Sequence, residues 1–447
     1  MDRTAELTQR DLAAVWHPFT QHALWEADDP IVVDRAEGCW LIDVEGRRYL
    51  DGVSSLWATV HGHREPAIDA AIRSQLDRVA HTTFLGLTHE PGIELAERLL
   101  AGAPTEPGRA ALTRVFYAGD GASAVEAALK MAFQSAAQRG EHRPVFVSVA
   151  EGYHGDTLGA VSVGGVEVFH ATYAPILLRT RRVSSPGVLA PGQSRADRAQ
   201  EVLAELATLL AAVGETVCAV VVEPMVQAAG GMLTHDAAFL RGVRRLCDEH
   251  GALLLADEVA TGVGRTGRMW ACEHAGVQPD LLACGKGLTG GYLPLSAVLT
   301  TEAVFAAFLG SPASGRTFFH GHTYTANPLA CAAALANFEL MAARGTVARA
   351  AAIGDRLGER LTTGLRGLPV AELRRIGSMT GIDLGRGFDP DERRGVAVAR
   401  VARRRGVWIR PLGDVVVLMP PLGISDTDLD LLCDVVIESI SMLGPAR

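Results

Sequence analysis

Residues 252–300, ALLLADEVATGVGRTGRMWACEHAGVQPDLLACGKGLTGGYLPLSAVLT, decide the reading of this chain. Two short apolar runs in it, Ala252–Ala256 and Leu281–Cys284, are continuous rather than alternating, and each is closed by polar or glycine residues. That is the pattern of buried parallel strands. Each run delivers one ionisable residue. The first ends in Asp257-Glu258 and the second in Gly285-Lys286-Gly287. Open α/β sheets bind ligands beyond the carboxyl ends of their strands, so a carboxylate and an amine are expected together there. A lysine without bulky neighbours can form a Schiff base, and a buried aspartate can hold a pyridine nitrogen protonated and make the ring an electron sink. The pairing points to pyridoxal phosphate.

Taken singly, both motifs are weak. A lone Gly-Lys-Gly is more often a loop with a solvated lysine, and an Asp after a strand more often caps the next helix. The same stretch contains a decoy, Gly262-Val-Gly264-Arg-Thr-Gly267, which matches the G-x-G-x-x-G dinucleotide pattern. Its glycines open no apolar-periodic helix, Asp257-Glu258 intervenes, and no ribose-binding acid follows about 20 residues on. A Walker P-loop is excluded too, since Lys286 lacks the glycine spacing and the following Ser or Thr.

At 447 residues the chain accommodates a large α/β domain and a smaller one. A net charge of −9 and basic runs no longer than Arg179–Arg182 and Arg403–Arg405 leave no footprint for a polyanion, so nucleic acid is not an expected partner. Seven scattered cysteines without a C-x-x-C read as reduced core thiols of a cytoplasmic protein. Neither an N-terminal apolar leader nor a run of membrane length is present, so no membrane association is expected.

Outward from the central stretch, the strand Thr113–Ala118 runs through Gly119-Asp-Gly121-Ala122-Ser123 into a helix over Ala124–Gln138. A glycine-containing helix N-terminus suits a phosphate, although plain capping is an equal alternative. Val145–Val149 is a strand that leads to Glu151-Gly-Tyr153-His154-Gly-Asp156, and Val217–Val222 is another, ending in Glu223. Asp236–His250 is a helix stopped by Gly251. Strands alternating with helices over this span indicate a mostly parallel sheet. Residues 1–60 read as an N-terminal arm with a meander, Cys39–Asp43 and Arg47–Leu50, and with Trp16-His-Pro-Phe-Thr-Gln as a loop suited to a pocket wall. His61 and His63, two apart on a strand, lack a metal-ligand cluster and are better taken as structural. No metal is expected. The expected division is 1–60 with the small domain, 61–340 as the large domain and 341–447 as a C-terminal α+β lobe. In that lobe Gly406–Pro411 is one strand carrying Arg410, either an ion-pair residue or a carboxylate clamp.

Assembled, the chain resembles the class III pyridoxal-phosphate-dependent aminotransferases over essentially its whole length. The marks are Trp16-His-Pro-Phe-Thr, Asp51-Gly-Val-Ser-Ser, Tyr153-His-Gly-Asp-Thr-Leu-Gly, Ala256-Asp-Glu-Val-Ala-Thr-Gly with Gly264-Arg-Thr-Gly, Gly285-Lys-Gly-Leu-Thr-Gly-Gly and Trp408-Ile-Arg-Pro. Within the family it is most similar to the branch that aminates 8-amino-7-oxononanoate in biotin biosynthesis. Ala260 stands where many relatives acting on ornithine or 4-aminobutyrate carry Gln.

The resemblance implies an α/β chain of pyridoxal-phosphate fold type I, aspartate aminotransferase-like, working as a homodimer with shared active sites on small-molecule substrates. It implies that Lys286 carries pyridoxal 5'-phosphate and moves the proton, that Asp257 pairs with the ring nitrogen, and that Tyr153 borders the ring beside His154. Gly121 and Ala122 would hold the phosphate. His322 and Thr323, with Gly321, would reach the neighbouring subunit's phosphate. Phe19, Leu56, Trp57 and Arg410 would meet substrate, with Glu223 and Asp156 behind them.

Members that use S-adenosylmethionine carry Tyr at Phe19, Trp at Leu56, Ser at Ala122, Pro at His322 and Tyr at Val417. S-adenosylmethionine is the expected donor, with lysine as the alternative. Another class III ω-aminotransferase is the runner-up. A pyridoxal-phosphate-binding regulator is a further class, but residues 1–50 show no basic helix-turn-helix.

Overall fold

In the computed structural model, which describes residues 3–385 and 393–443, the Asp257 and Lys286 runs lie at the centre of a seven-stranded sheet. Its order is Leu112–Ala118, Ser296–Thr301, Leu281–Cys284, Leu253–Asp257, Val217–Val222, Val145–Val149 and Thr180–Val183. Only Ser296–Thr301 runs antiparallel to its neighbours. The remaining pairings are parallel, so consecutive strand ends open on one edge of the sheet.

Side-chain size sets how each face is covered. On one face the Gly121–Gln138 helix presents Ala124, Ala128 and Ala132, all fully buried, which lets it lie close to strand residues such as Ala219, Ala283 and Val298. On the other face Arg195–Val213 and Ala237–His250 pack Leu206, Leu210, Leu240 and Val243 against Val220, Leu254 and Ala256. The first helix begins at Gly121, three residues earlier than expected, because the Asp120 carboxylate accepts from the Ser123 N–H at 2.9 Å and caps it there.

Two smaller sheets flank this unit. Val33–Glu37, Trp40–Asp43 and Arg48–Asp51 form the expected meander, and Val407–Trp408 joins it beside Arg48–Asp51. Glu372–Ile376, Met379–Asp383, Val415–Leu418 and Arg410–Leu412 form the other. Gly406–Pro411 is therefore not one strand but parts of two, separated at Ile409. The reason is local packing: Ile409 is buried against Gly52, where a Cβ would stand 2.9 Å from its Cγ2, and Gly52 donates to the Trp408 carbonyl. Beyond that contact Arg410 pairs with Val417.

The N-terminal arm differs from expectation as well, since Arg3–Ala14 is a helix. It docks through Asp11, whose carboxylate accepts from Trp25 Nε1 and pairs with His17 Nε2, both at 2.8 Å. His61 and His63 lie outside the named strands, and only His63 forms a bridge, to Gly38. Both rings bond protein groups, His61 the Asn337 carbonyl and His63 the Asp51 carboxylate. The decoy glycine motif is a turn around fully buried Arg265, which donates to the carbonyls of Thr59 and Pro420. All seven cysteines are free and buried, and burial pushes the Cys284 thiol up to about 12. Among the described residues no helix is long and apolar enough to cross a membrane.

Candidate active site

Four neighbouring strand ends build the site. Lys286 follows Leu281–Cys284, Asp257 ends the next strand, Glu223 follows Val217–Val222, and Tyr153-His154 follow Val145–Val149. Together with Gly121, Ala122 and Trp57 they line one cavity of about 500 Å³. A larger cleft of about 650 Å³, between Arg195, His235, Glu359 and Arg375, contains none of these residues.

Asp257 is buried and doubly held. Its Oδ1 accepts from the Val259 N–H at 3.0 Å, and Oδ2 lies 2.8 Å from His154 Nδ1. Burial opposes charge on His154, yet the hydrogen bond to Asp257 and the fields of Asp257 and Glu223 outweigh it and raise the imidazole above its ordinary value. Glu223 accepts from the N–H groups of Tyr153 and Ala228, both at 2.9 Å, and so fixes two walls of the cavity. Burial pushes its carboxyl up to about 7, with His154 pulling it down and Asp257 up. The Tyr153 hydroxyl donates to Asp156 at 2.8 Å, and burial together with that acceptor raises its phenol.

Lys286 has a left-handed φ of +44°, which side-chain-bearing residues rarely adopt and which is found where the surroundings enforce it. Among the described residues its Nζ has no hydrogen-bond partner; it stands 5.5 Å from the Trp57 ring centroid. Removal from water lowers the amine, while Asp257, Glu223 and Asp156 draw it back up. An amine whose charge burial disfavours, set beside a fixed carboxylate, is equipped for Schiff-base and proton-transfer chemistry.

The phosphate end is equally specific. The Gly121 and Ala122 N–H groups open the helix with no partner among the described residues, and a helix N-terminus favours an anion. A Cβ on Gly121 would stand 2.6 Å from Val259 Cγ1, and one on Gly155, at φ +118°, would stand 2.3 Å from Ala122 Cβ. Backbone must come close here. An amine, a fixed acid and an anion cradle along one cavity fit pyridoxal phosphate.

Other expected residues lie elsewhere. Phe19 is exposed and does not line the cavity; its ring meets Phe169 at 5.6 Å, and Phe169 in turn meets Tyr153 at 5.5 Å. Leu56 is exposed beside buried Trp57. Arg410 is part-buried outside the cavity lining, and its guanidinium makes no ion pair or hydrogen bond among the described residues; burial lowers its pKa. Gly321 and Thr323 are exposed in a turn away from the cavity, with His322 part-buried and its N–H donating to Thr325. The sequence reading missed Ala228-Ala229 and Phe169. A run of small residues just past the Glu223 strand end was the available signal for the first pair; for Phe169 there was none.

This fold and this constellation define a pyridoxal-phosphate-dependent transaminase. The chain belongs to the class III aminotransferases, whose family model matches residues 23–440. It is 51% identical to the adenosylmethionine-8-amino-7-oxononanoate aminotransferase of Nitratidesulfovibrio vulgaris, across 96% of this chain and 80% of that one. The enzyme of the same name from Geobacter sulfurreducens is 43% identical over 98% of both chains. Among solved structures, that enzyme from Methanocaldococcus jannaschii superposes with a TM-score of 0.91 at 37% identity, covering 98% of each chain. An amine transaminase from an uncultivated Pseudomonas species, in its pyridoxal-phosphate-bound form, gives 0.90 at 34% identity, covering 96% of this chain and 99% of that one.

Proposed function

We propose that the chain transfers an amino group from S-adenosylmethionine to 8-amino-7-oxononanoate, giving 7,8-diaminononanoate for biotin synthesis. The observation that carries the acceptor is the full-length similarity to enzymes named for it, joined to a part-buried Arg410 whose guanidinium is unpaired among the described residues, on the strand beside Val417. A guanidinium without an internal partner suits a substrate carboxylate.

Bound pyridoxal phosphate supplies an electron sink for charge at the donor carbon. The protein does the rest. Lys286 Nζ holds the cofactor and moves the proton, and Asp257 sets its negative charge against the ring nitrogen. His154, raised by Asp257, keeps that carboxylate oriented. Gly121 and Ala122 N–H groups take the phosphate, while Tyr153, Trp57 and Ala228-Ala229 exclude water.

Three further assignments belong to this reading. The working unit is a homodimer in which Gly321, His322 and Thr323 reach the partner's phosphate, supported by the exposure of Phe319 (81%), Tyr324 (65%) and Leu85 (89%). A fully active monomer by light scattering at assay concentration would remove it. The buried free cysteines support a cytoplasmic setting, and the proposed domains are 1–60 with 341–447, set against 61–340.

The test presents S-adenosylmethionine, lysine and ω-amino acids singly to the cofactor-loaded protein, follows the cofactor's absorbance, and then adds the ketone. S-adenosylmethionine is expected to change the spectrum and 8-amino-7-oxononanoate to reverse it. Reaction with lysine alone would overturn the donor, and failure of the ketone to reverse the change would overturn the acceptor. Lysine is a specific competitor because Val417 is buried with Trp57 in the cluster beside the cavity, and Leu56 adds no second indole. In the same assay Arg410→Ala is expected to raise KM for the ketone by about tenfold to a hundredfold, the worth of a lost charge-assisted hydrogen bond. The donor half-reaction should change far less; equal losses in both halves would make Arg410 structural.

A further inference from the structure

The segment from Asp51 to Trp57 is strained next to the cavity. Ser54 (φ +52°), Ser55 (+60°) and Trp57 (+65°) all carry side chains yet occupy positive φ, which L-residues rarely do unless their surroundings hold them. The surroundings that hold this turn are few and identifiable. Fully buried Asp51 accepts from the Val53 N–H through Oδ1 at 3.1 Å and from the Ser55 N–H through Oδ2 at 2.7 Å. His63 Nε2 stands 3.0 Å from the same Oδ2 and fixes the carboxylate from the far side. Ser54 Oγ donates to the Met419 carbonyl at 2.7 Å, tying the turn to the C-terminal lobe. The result is a buried Trp57 ring 5.5 Å from Lys286 Nζ, within cation–π range.

We propose that Asp51 and His63 are positioning residues, which hold the strained turn so that the Trp57 ring lies over the Lys286 amine and favours its charged form. This rests on Lys286 as the cofactor-bearing lysine. The charges that bear on Nζ are Asp257, Glu223 and Asp156, from three other strand ends, with His154 and Tyr153 between them; Asp51 is not among them. A change at Asp51 therefore reaches Lys286 through the position of the ring and not through its own charge.

The chain has two lysines, Lys130 and Lys286, so competitive acylation of the full-length protein reads each one separately by mass spectrometry. Exposed Lys130 serves as the internal standard. The protein is first freed of cofactor with hydroxylamine, and labelling is followed against pH. Trp57→Leu is expected to move the Lys286 midpoint down by about half a unit or more, because the ring's attraction for a cation is lost. Trp57→Phe, which keeps a ring, should stay nearer the parent.

Asp51→Asn should match the Trp57→Leu shift, since an amide has one accepting oxygen and cannot accept both from Val53 N–H at the Oδ1 position and from Ser55 N–H and His63 at the Oδ2 position. The double variant should go no further than Trp57→Leu alone. If Asp51→Asn does not fold, His63→Ala takes its place, with a smaller shift in the same direction. A parental midpoint in Trp57→Leu, or a shift there but none in whichever of the two variants folds, overturns the proposal. Borohydride reduction of the loaded protein separates the two readings: a mark on Lys130 would sink the cofactor assignment while leaving the Lys286 midpoints to decide the turn.

Discussion

Lys286→Ala is expected to purify folded, to hold cofactor without covalent attachment, and to lose turnover by at least about a thousandfold, within the range that a positioned proton donor and acceptor contributes. The fold should survive because Lys286 Nζ has no hydrogen-bond partner among the described residues. The strand before it is held by its own register with Leu253–Asp257 and Ser296–Thr301. What disappears is the only amine among the described residues that line the cavity. The check is twofold: borohydride reduction and peptide mapping should mark Lys286 in the parent and nothing in the variant, and added primary amine should restore part of the proton transfer. A covalently held cofactor in Lys286→Ala would end the assignment.

The cofactor end of this site was legible because it is encoded locally. A continuous apolar run followed at once by Asp257, and another followed by Gly285-Lys286, place their side chains by strand geometry alone. Glu223 and Tyr153-His154 followed from the same rule on adjacent strands. The substrate end was less legible because it depends on chain segments that meet only after folding. Arg410 sits where it does because Ile409 packs into Gly52, some 350 residues earlier in the chain, and splits an apolar run into strands of two sheets. Asp51, which opens one of the family marks, and His63, taken from the sequence as structural, come together only through a turn that carries three positive φ values. Nor does periodicity announce the Arg3–Ala14 helix, which buries only Thr8 and docks through the polar partners of Asp11. Phe19 fell within a loop suited to a pocket wall, yet it reaches Tyr153 only through Phe169.

Asp257→Asn is expected to fold, to bind pyridoxal phosphate and to lose about one to two orders of magnitude in single-turnover rate, the worth of a hydrogen bond to a charged group. The amide can keep the first of the two contacts that fix this residue, because its oxygen still accepts from the Val259 N–H at the Oδ1 position. The second contact must reverse. An amide NH₂ facing His154 Nδ1 in place of Oδ2 can only donate, so the imidazole has to accept there. His154 then loses the hydrogen bond and the larger of the two fields that raise it, and burial drives it neutral. The variant therefore exchanges a charged pair for a neutral one of similar shape, which spares packing and removes the negative charge opposite the ring nitrogen. The loss should fall on the proton-transfer step in both half-reactions, with cofactor affinity less affected, because the phosphate contacts at Gly121 and Ala122 are untouched. Nitrogen-resolved NMR of His154 provides the independent reading: its titration should lie above the ordinary histidine value in the parent and fall in the variant. Near-normal single-turnover rates together with a neutral His154 would show that the charge of Asp257 is not what the reaction uses.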